Sequence, residues 1–565
     1  MTTVAGLLVL SVYPAVHAFS AKVAAQRTIP QKWAQPVAQE TTRPGQPLYP
    51  SRATIHAAEI AVSTADAQAQ RFEFSAALGI LERARQQYPD SAAVLCEIGL
   101  IYLKAEDPDR AANQFNRALK IDAAYPAAEL GLASVEIMNH AYEKAEALAR
   151  SVMCGAGLTD ADRARAHIIA SRALMERGKN QQAAAEAGQA LSLDRTDSEA
   201  LYILAFLKAA GRQAGEARDL ARQAVAADPY NIGGLRLLGQ YVNGLKGYLQ
   251  KANPSAESFY KLGRETEQAG RLMEARKQLE RAVECEPEYY RALISLSAVC
   301  LGLGDYQPAA EWAKKALQSD ADGTLAYVDL ALAYTGLEEE ASTVIGAPDY
   351  AARYFDRQAP KIDPSSIAKV FPEYAGLSGR QQRVVEFSIA GLADFLPILA
   401  ERGAHFHLVP TDVRITDYPG YEGSGVEKTF DGRYYASIRG AGGRITLCGI
   451  ESIEEAARCG FNPIAHEFAH EVQRAGMSAE QRARLRVLYL GALEHGRTLD
   501  YYSASDEYEY FAVGYEAYAA EFKRPALGVT GRHTREELKQ RDPALYGFIV
   551  SLSDRAPGRR NETSD

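Results

Sequence analysis

Small residues recur through the middle of this 565-residue chain at a spacing that returns repeatedly to 34 residues. Each recurrence is a triplet at positions i, i+4 and i+7, which lie on one face of a helix. Small side chains on that face let a second helix cross closely, because little more than a methyl group separates the two backbones. The triplets are Ala111, Phe115, Ala118; Ala145, Ala149, Val152; Ala183, Ala187, Ala190; Ala217, Ala221, Ala224; Ala275, Leu279, Ala282; and Ala309, Ala313, Ala316. The pattern predicts an array of antiparallel helix pairs.

This period is that of the tetratricopeptide repeat, and residues 71–337 resemble proteins built from that repeat. The resemblance implies an α-solenoid, over residues 61–345, whose concave groove binds peptides or a partner protein. Side chains on first helices, such as Arg264 and Arg291, would face the groove. We expect roughly six or seven repeats, with an irregular insertion near Asn231 to Pro254, where the phase breaks. The alternative is a rigid spacer that packs on its neighbour and binds nothing else.

Length and charge limit the possible classes of function. A chain of 565 residues is long enough for about three domains, each with its own core. The net charge of −9 provides no polycationic face, so we expect no nucleic-acid partner. The six cysteines form no CxxC pair, which argues against a thiolate zinc finger. Cys448 and Cys459 are either bridged, if the protein is exported, or two free thiols.

The N-terminal residues predict export. An apolar run, Val4 to Val12, has the length of a signal peptide and is too short to span a bilayer, and small residues before Ala18 suit cleavage. We therefore expect a signal peptide over residues 1–21, a periplasmic or secreted location and no stable membrane span. No Lys or Arg precedes the run, and a cytoplasmic location is the alternative.

The chain is expected to begin and end with irregular segments around its folded parts. Residues 22–60 are expected to form a Pro/Gln-rich linker. At the other end, residues 556–565 are expected to be a disordered tail.

The residue pattern changes near Gly346, and the new pattern predicts a mixed α+β domain over residues 346–555. A helix is expected over Ser378 to Arg402, followed by a short strand, His405 to Val409. Aromatic and β-branched residues then alternate between Asp431 and Cys448, and glycines interrupt them, which is typical of a hairpin.

The stretch "NPIAHEFAHEVQ", residues 462–473, predicts a helix that carries two histidines. Asn462 is a good N-cap, and Pro463 suits the first helical turn. His466 and His470 then project from one face, one turn apart, and two imidazoles so placed can share one Zn²⁺. The alternative is a pair of surface imidazoles on a solvated helix.

An apolar stripe favours the metal site over that alternative. Ile464, Phe468 and Val472 would bury this helix against a core and leave the histidines at its edge. Glu467 lies beside the histidine face, where its carboxylate can take a proton from water as a general base. A catalytic zinc usually takes three protein ligands and keeps one position open, so a third ligand has to come from elsewhere.

The candidate third ligand lies on a helix predicted to start near Asp506. Glu509 is on the flank of its core face, and a carboxylate among aromatic residues is costly to bury unless it is paired or metal-bound. Glu507 lies too near the helix start, and Glu516, two turns on, could instead hold a histidine ligand from behind. The expected core face consists of Tyr508, Phe511, Ala512, Tyr515, Ala519 and Phe522.

"HEFAH", a following tyrosine and "EYFA" together resemble the peptidase domain of anthrax lethal factor and related gluzincin metallopeptidases. The resemblance covers residues 403–552. It implies that Glu509, directly before the aromatic pair, is the third zinc ligand. It also implies that Tyr502, seven residues earlier, donates its hydroxyl to the oxyanion. Packing beside Tyr501 is the alternative role for Tyr502.

The upstream "SIRGAGGRITL" resembles the glycine-bearing strand of the same family, whose edge would pair with an extended substrate. One departure concerns support for the metal ligands. The family often has a second acidic residue four positions beyond the ligand, where this chain has Val513.

The sequence thus predicts a mainly α protein, with a tetratricopeptide-repeat α-solenoid followed by an α+β zincin-like metallopeptidase domain. The implied function is that of a zinc-dependent endopeptidase that hydrolyses a protein or peptide substrate, with the repeats recruiting substrate or partner. The alternative is a repeat-based adaptor that carries an inactive zincin-like domain.

Overall fold

The computed structural model describes residues 52–155, 157–349, 358–418, 421, 427–429, 432–442, 445–523 and 533–553. The chain divides into two compact units, Met1–Ile55 and His56–Asp565, and nearly all described residues belong to the second. The predicted signal peptide, the tail and most of the linker lie outside the described residues. A helix that begins at Arg52 overlaps the last part of the range predicted as linker.

Helices follow one another without a strand through the described residues between 52 and 344. They are α1 Arg52–Ala69, α2 Phe74–Gln87, α3 Ala92–Lys104, α4 Pro108–Ile121, α5 Pro126–Met138, α6 Tyr142–Met153, α7 Asp160–Glu176, α8 Asn180–Leu193, α9 Ser198–Ala210, α10 Ala214–Ala227, α11 Ile232–Tyr241, α12 Leu245–Tyr248, α13 Pro254–Gln268, α14 Leu272–Cys285, α15 Tyr290–Leu303, α16 Tyr306–Ser319 and α17 Thr324–Val344. Among them, α1 to α10 and α13 to α16 form seven hairpin pairs.

The small-residue triplets pack as the sequence predicts. Their members lie on second helices and are fully buried, apart from Val152, which is 5% exposed. Phe115 is the one aromatic residue in the six triplets, and it fits because glycines face it. A Cβ atom at Gly99 would lie 2.6 Å from the Phe115 ring, and one at Gly131 would lie 2.5 Å from it. A larger side chain is therefore accommodated by removing its neighbours' side chains.

The turns inside the helix pairs share a left-handed residue. Non-glycine residues occupy this conformation at Phe72, Glu106, His140 and Arg212, with φ between 57° and 63°. Glycine takes the equivalent position in other pairs, for example Gly304 with φ of 78°. Phe72 uses its side chain to contact Tyr230 and Tyr334, with ring centroids 5.7 and 5.6 Å apart.

The irregular segment predicted near Asn231 to Pro254 is where the array departs from regular pairing. Helix α11 has only the four-residue α12 after it, and the long helix α17 packs against α11 instead. Glycines make this contact close: a Cβ atom at Gly239 would lie 2.9 Å from Val328, and one at Gly244 would lie 2.5 Å from the backbone nitrogen of Thr324. The glycines that break the repeat phase therefore lie at the contact with α17, the last helix of the solenoid. This contact, in which Gly239 and Gly244 meet Val328 and Thr324, is called the seam below.

We expect Gly244→Ala to lower the free energy of unfolding by about 1–3 kcal/mol, because the added methyl group meets backbone that cannot rotate away. Gly188→Ala is the matched control, since a Cβ atom there meets nothing within 4 Å. That change lies inside helix α8 and should stabilise by up to about 1 kcal/mol. Thermal or urea unfolding of both variants measures the difference, and equal effects would contradict the tight seam.

The remaining described residues form a smaller helical region around a sheet. Its helices are α18 Pro364–Val370, α19 Gly379–Ile389, α20 Leu396–Glu401, α21 Ser452–Cys459, α22 Pro463–Glu471, α23 Ala479–Glu494, α24 Glu507–Ala519, α25 Arg535–Arg541 and α26 Pro543–Ser553. Strands β1 Phe406–Val409, β2 Gly440–Ala441 and β3 Thr446–Gly449 form a sheet in the order β1-β3-β2. Strand β3 is parallel to β1 and antiparallel to β2.

The structure differs from the sequence expectation in one helix of this region and agrees with it in the hairpin. The single helix expected over Ser378 to Arg402 is wrong: a 3-10 segment, Ala390–Phe395, separates α19 from α20. Pro397 lies in the first turn of α20, where its missing N–H costs nothing, and so it fits a new helix start better than a helix interior. The expected hairpin is present as β2 and β3, and Cys448 in β3 is a free, buried thiol.

Charged residues join the solenoid to the C-terminal region. Arg236 pairs with Glu455, and Arg458 pairs with Glu339. Arg264, which was expected to face an open groove, pairs with Asp412 of the C-terminal region. Part of the surface of the solenoid therefore contacts the C-terminal region of the same chain.

Arg264 and Glu267 are largely buried, and the side chain of Asp412 is fully buried. Burial, together with the nearby Asp412 charge, raises the pKa of Glu267, a second partner of Arg264, to about 8. Arg291, also expected to face the groove, pairs with Glu257 of α13 at 2.9 Å, and both side chains are about one-quarter exposed. None of the helices in the described residues has both the length and the apolar character needed to cross a bilayer.

Candidate metal centre

Helix α22 holds the two histidines as its local sequence predicts. The Asn462 side chain accepts a hydrogen bond from the Ala465 backbone N–H at 3.0 Å, and Pro463 occupies the first turn. The helix continues as a π-helical turn that ends at Gly476.

The apolar stripe of α22 faces the core. Ile464, Phe468 and Val472 are fully buried, and the Phe468 ring lies 5.8 Å from that of Phe371. The opposite side of the helix carries His466 and His470, whose rings are 4.8 Å apart. Burial of one face thus fixes the direction of both imidazoles.

Three side chains from two helices converge at this point. Oε2 of Glu509 lies 3.1 Å from Nε2 of His466 and 3.7 Å from Nε2 of His470. The three groups can each offer one ligand atom within 4.8 Å of the others. All three side chains are largely buried, with 7%, 13% and 16% exposure for His466, His470 and Glu509. The structure therefore brings together the three residues that the sequence proposes as ligands.

These distances fit zinc. Ligands bound about 2.0–2.1 Å from a tetrahedral Zn²⁺ are separated from one another by about 3.3 Å. The two Nε2-to-Oε2 distances, 3.1 and 3.7 Å, bracket that value. An ordinary ion pair needs only one imidazole, whereas this carboxylate oxygen faces two. Two imidazoles and one carboxylate are also one of the donor sets found in catalytic zinc sites.

The start of helix α24 determines where Glu509 lies. The Asp506 side chain caps the helix by accepting hydrogen bonds from the backbone N–H groups of Tyr508 and Glu509, at 2.8 and 2.9 Å. Glu509 consequently occupies the first turn and faces α22. Its rival Glu507 is the first helical residue and accepts a hydrogen bond from Gln473 at 3.2 Å instead.

Glu516 takes the supporting position that the sequence left open. Its Oε2 lies 3.3 Å from Nδ1 of His466, on the side of the ring away from Glu509, and its exposure is only 2%. The backbone N–H of Asn462 donates to the other oxygen of Glu516 at 3.4 Å. A carboxylate behind a ligating imidazole fixes the ring's orientation and makes it a better ligand. Val513, four positions beyond Glu509, is buried in the core.

Glu467 lies against the glycine-bearing strand. Its side chain is 8% exposed, and a Cβ atom added to Gly440 would lie 2.5 Å from Oε1 of Glu467. Gly442 likewise approaches His470, where a Cβ atom would lie 3.3 Å from that of the histidine. Strand β2 and the residue after it therefore approach helix α22 closely at Gly440 and Gly442, which have no side chains.

Tyr502 lies beside His466. Its ring centroid is 6.2 Å from that of His466, and it also contacts Tyr501 at 6.1 Å. Tyr502 is partly buried, whereas Tyr501 is 43% exposed. The loop between α23 and α24 thus places Tyr502 beside the ring of His466, a candidate ligand. Tyr502 is the tyrosine that the resemblance implies as the oxyanion donor.

Some features of the site have no sequence signal. Thr446 of β3 donates to the buried carboxylate of Glu471, which links the sheet to helix α22. Tyr508 was expected on the core face of α24, but its exposure is 51%, while Tyr510 and Val513 are buried instead. From Tyr510 to Ala517 the helix is buried on all sides, so a single apolar face could not be identified from its periodicity.

Comparison with known proteins bears on the helical array. The profile described as tetratricopeptide repeat matches residues 96–153 and 260–324. The solenoid therefore contains tetratricopeptide repeats. No curated protein matches the chain.

Solved structures of repeat proteins are similar at low identity. A thermophilic TPR protein of Thermus thermophilus is 18% identical over 30% of this chain and 92% of that chain, with a TM-score of 0.27. The pilF protein of Pseudomonas aeruginosa is 17% identical over 42% and 97%, with a TM-score of 0.27. YrrB, a TPR protein with an unusual peptide-binding site, is 17% identical over 38% and 95%, with a TM-score of 0.21. The assignment of tetratricopeptide repeats depends on the profile match.

We expect one zinc ion per chain, and its affinity should depend unequally on the three glutamates of helix α24. Glu509→Gln should abolish stoichiometric binding, because the amide is a poor ligand. Glu516→Gln should weaken binding about 10–100-fold, because the ring of His466 loses its support. Glu507→Gln is the matched control and should bind zinc as the wild type does. Elemental analysis and chelator competition measure this, and strong loss in the control would contradict the assignment.

Proposed function

We propose that the C-terminal region is a zincin-like α+β domain and acts as a zinc-dependent endopeptidase of gluzincin type. The observation that carries the proposal is the convergence of His466, His470 and Glu509 within ligand distance of one another. Glu467 next to this cluster and the nearby Tyr502 support an enzyme over a purely structural metal site.

In this proposal His466, His470 and Glu509 hold Zn²⁺. The bound ion would polarise the scissile carbonyl and lower the pKa of water. Glu467 takes a proton from the attacking water while the water oxygen bonds to the carbonyl carbon. Glu467 then passes that proton to the leaving amine as the C–N bond breaks. The Tyr502 hydroxyl donates to the oxygen that becomes negatively charged.

Strand β2 suggests how a substrate is bound. The carbonyl of Arg439 accepts from the Gly449 N–H at 2.6 Å, so Arg439 and Ala441 direct their backbone groups towards β3. The backbone groups of Gly440 and Gly442 then point to the opposite edge, since successive residues alternate. A strand added there would run past Glu467, and an extended peptide is thus the favoured substrate.

We expect Glu467→Gln to abolish peptide cleavage and to leave zinc bound, because glutamine keeps the shape and cannot accept the proton. Wild type and variant should be compared on a mixed peptide library by mass spectrometry, with zinc content measured on the same samples. Loss of zinc in the variant would contradict the role given to Glu467.

Tyr502→Phe should reduce kcat about 10²–10³-fold with little change in KM, as expected when one oxyanion donor is lost. Tyr501→Phe is the matched control, since it removes a hydroxyl from the adjacent, more exposed tyrosine. Steady-state kinetics on a peptide found in the library digest measures both. Equal effects of the two changes would assign Tyr502 to packing.

The alternative is a repeat-based adaptor whose zincin-like domain is inactive. Tetratricopeptide repeats suggest protein–protein interaction, which favours this function or a recruiting role in the enzyme. The library comparison separates the two, because an adaptor gives the same peptide profile for wild type and Glu467→Gln. Location remains a prediction, with the periplasm or cell exterior favoured over the cytoplasm.

A further inference from the structure

The segment after strand β1 is held by the repeats. Asp412 in this segment has a fully buried side chain. Its Oδ2 pairs with Arg264 of α13 and accepts a hydrogen bond from Ser295 of α15 at 2.5 Å. Nearby, Tyr248 donates to Asp417 at 2.7 Å. Three helices of the solenoid thus fix one loop of the C-terminal region.

Arg439 connects the Asp412 loop to strand β2, the edge strand of the sheet. Its guanidinium donates to the carbonyls of Val413 at 2.6 Å and of Pro410 at 2.9 Å, on either side of Asp412. It also pairs with the buried Glu451 at 2.7 Å. Arg439 directly precedes Gly440, the residue that lies against Glu467. Moving the Asp412 loop would therefore move the anchor of strand β2.

A second contact acts on the same strand. The buried hydroxyl of Ser437 donates to the backbone carbonyl of Gln240, at the end of α11, at 2.5 Å. Ser437 lies three residues before Gly440. Two independent contacts with the solenoid consequently converge on the strand beside the candidate general base.

We propose that the repeats position the edge strand of the metal site, with Arg264, Ser295 and the Gln240 carbonyl acting through Asp412, Arg439 and Ser437 on Gly440. In this arrangement the solenoid is part of the site's framework as well as a surface for partners. The effect on catalysis rests on the proposed peptidase function, whereas the effect on the strand does not.

The test uses the full-length, zinc-loaded protein and two variants, Arg264→Gln and Ser437→Ala. Hydrogen exchange followed by mass spectrometry should show amides of residues 437–449 exchanging about tenfold faster, because the anchors of β2 are loosened. Exchange in α22 and α24 and the affinity for zinc should stay within about twofold of wild type, since the metal ligands lie on those helices.

Each variant has a matched control inside the solenoid. Ser171→Ala removes a buried hydroxyl that donates to the Ala183 carbonyl at 2.7 Å, as Ser437 does to Gln240. Arg172→Gln breaks an ion pair with Glu199 at 3.1 Å. Neither should change exchange in residues 437–449. If Arg264→Gln fails to fold, Ser437→Ala, which removes only one oxygen atom, still tests the proposal.

Kinetics provide the second measurement. Loosening the strand should raise KM for an extended peptide about tenfold while zinc content is unchanged, because misplaced backbone groups pair poorly with substrate. Exchange in 437–449 equal to that of the controls, or faster exchange spread equally over α22 and α24, would overturn the proposal. If wild type cleaves no peptide, the peptidase function fails by itself, and the exchange result still decides whether the repeats hold the strand.

Discussion

The solenoid depends on how closely two helix backbones can approach when alanine separates them. The alanines of the repeat triplets are fully buried, and each lies where a neighbouring helix crosses. A methyl group buries little area, so the contact stabilises through the close fit of whole helices. The same constraint appears at the seam between α11 and α17, where glycine takes the place of alanine. Contacts this close leave each repeat little freedom, and the array can therefore hold the C-terminal region in a defined position.

Features set within one helix could be predicted from the sequence. The period identified the helix pairs, Asn462 and Asp506 cap the helices as their side chains allow, and the i, i+4 spacing brought His466 and His470 to one face. The break in the helix after Ser378 was missed although Pro397 favours a helix start, because the apolar residues continue the helical pattern through the break. The pairing of α11 with α17 has no signal either, since the broken phase shows only that a regular partner is missing.

The candidate site shows the same division. Helical periodicity and the cost of burying a carboxylate indicated Glu509 as a candidate third ligand. The resemblance to gluzincins then favoured Glu509 over Glu507. The sequence named Glu516 as a possible support for a histidine ligand, but which imidazole it contacts depends on the crossing of α22 and α24, which no local pattern describes. Arg264 illustrates the limit further: its position on a first helix indicated an inward-facing cation, but whether it would meet solvent, a partner or this chain's own Asp412 depends on the fold.

The left-handed turn residues have a consequence for attempts to redesign the repeats. A non-glycine residue in this conformation costs about 1 kcal/mol, so a consensus approach would replace Phe72 and Arg212 with glycine. Yet Phe72 reaches the ring of Tyr334, and the Arg212 guanidinium lies 5.9 Å from the Tyr501 ring centroid. Making every unit ideal would relieve local strain and also erase links between distant parts of the chain. An idealised array of identical units would be a more regular rod and a poorer frame for its own C-terminal region.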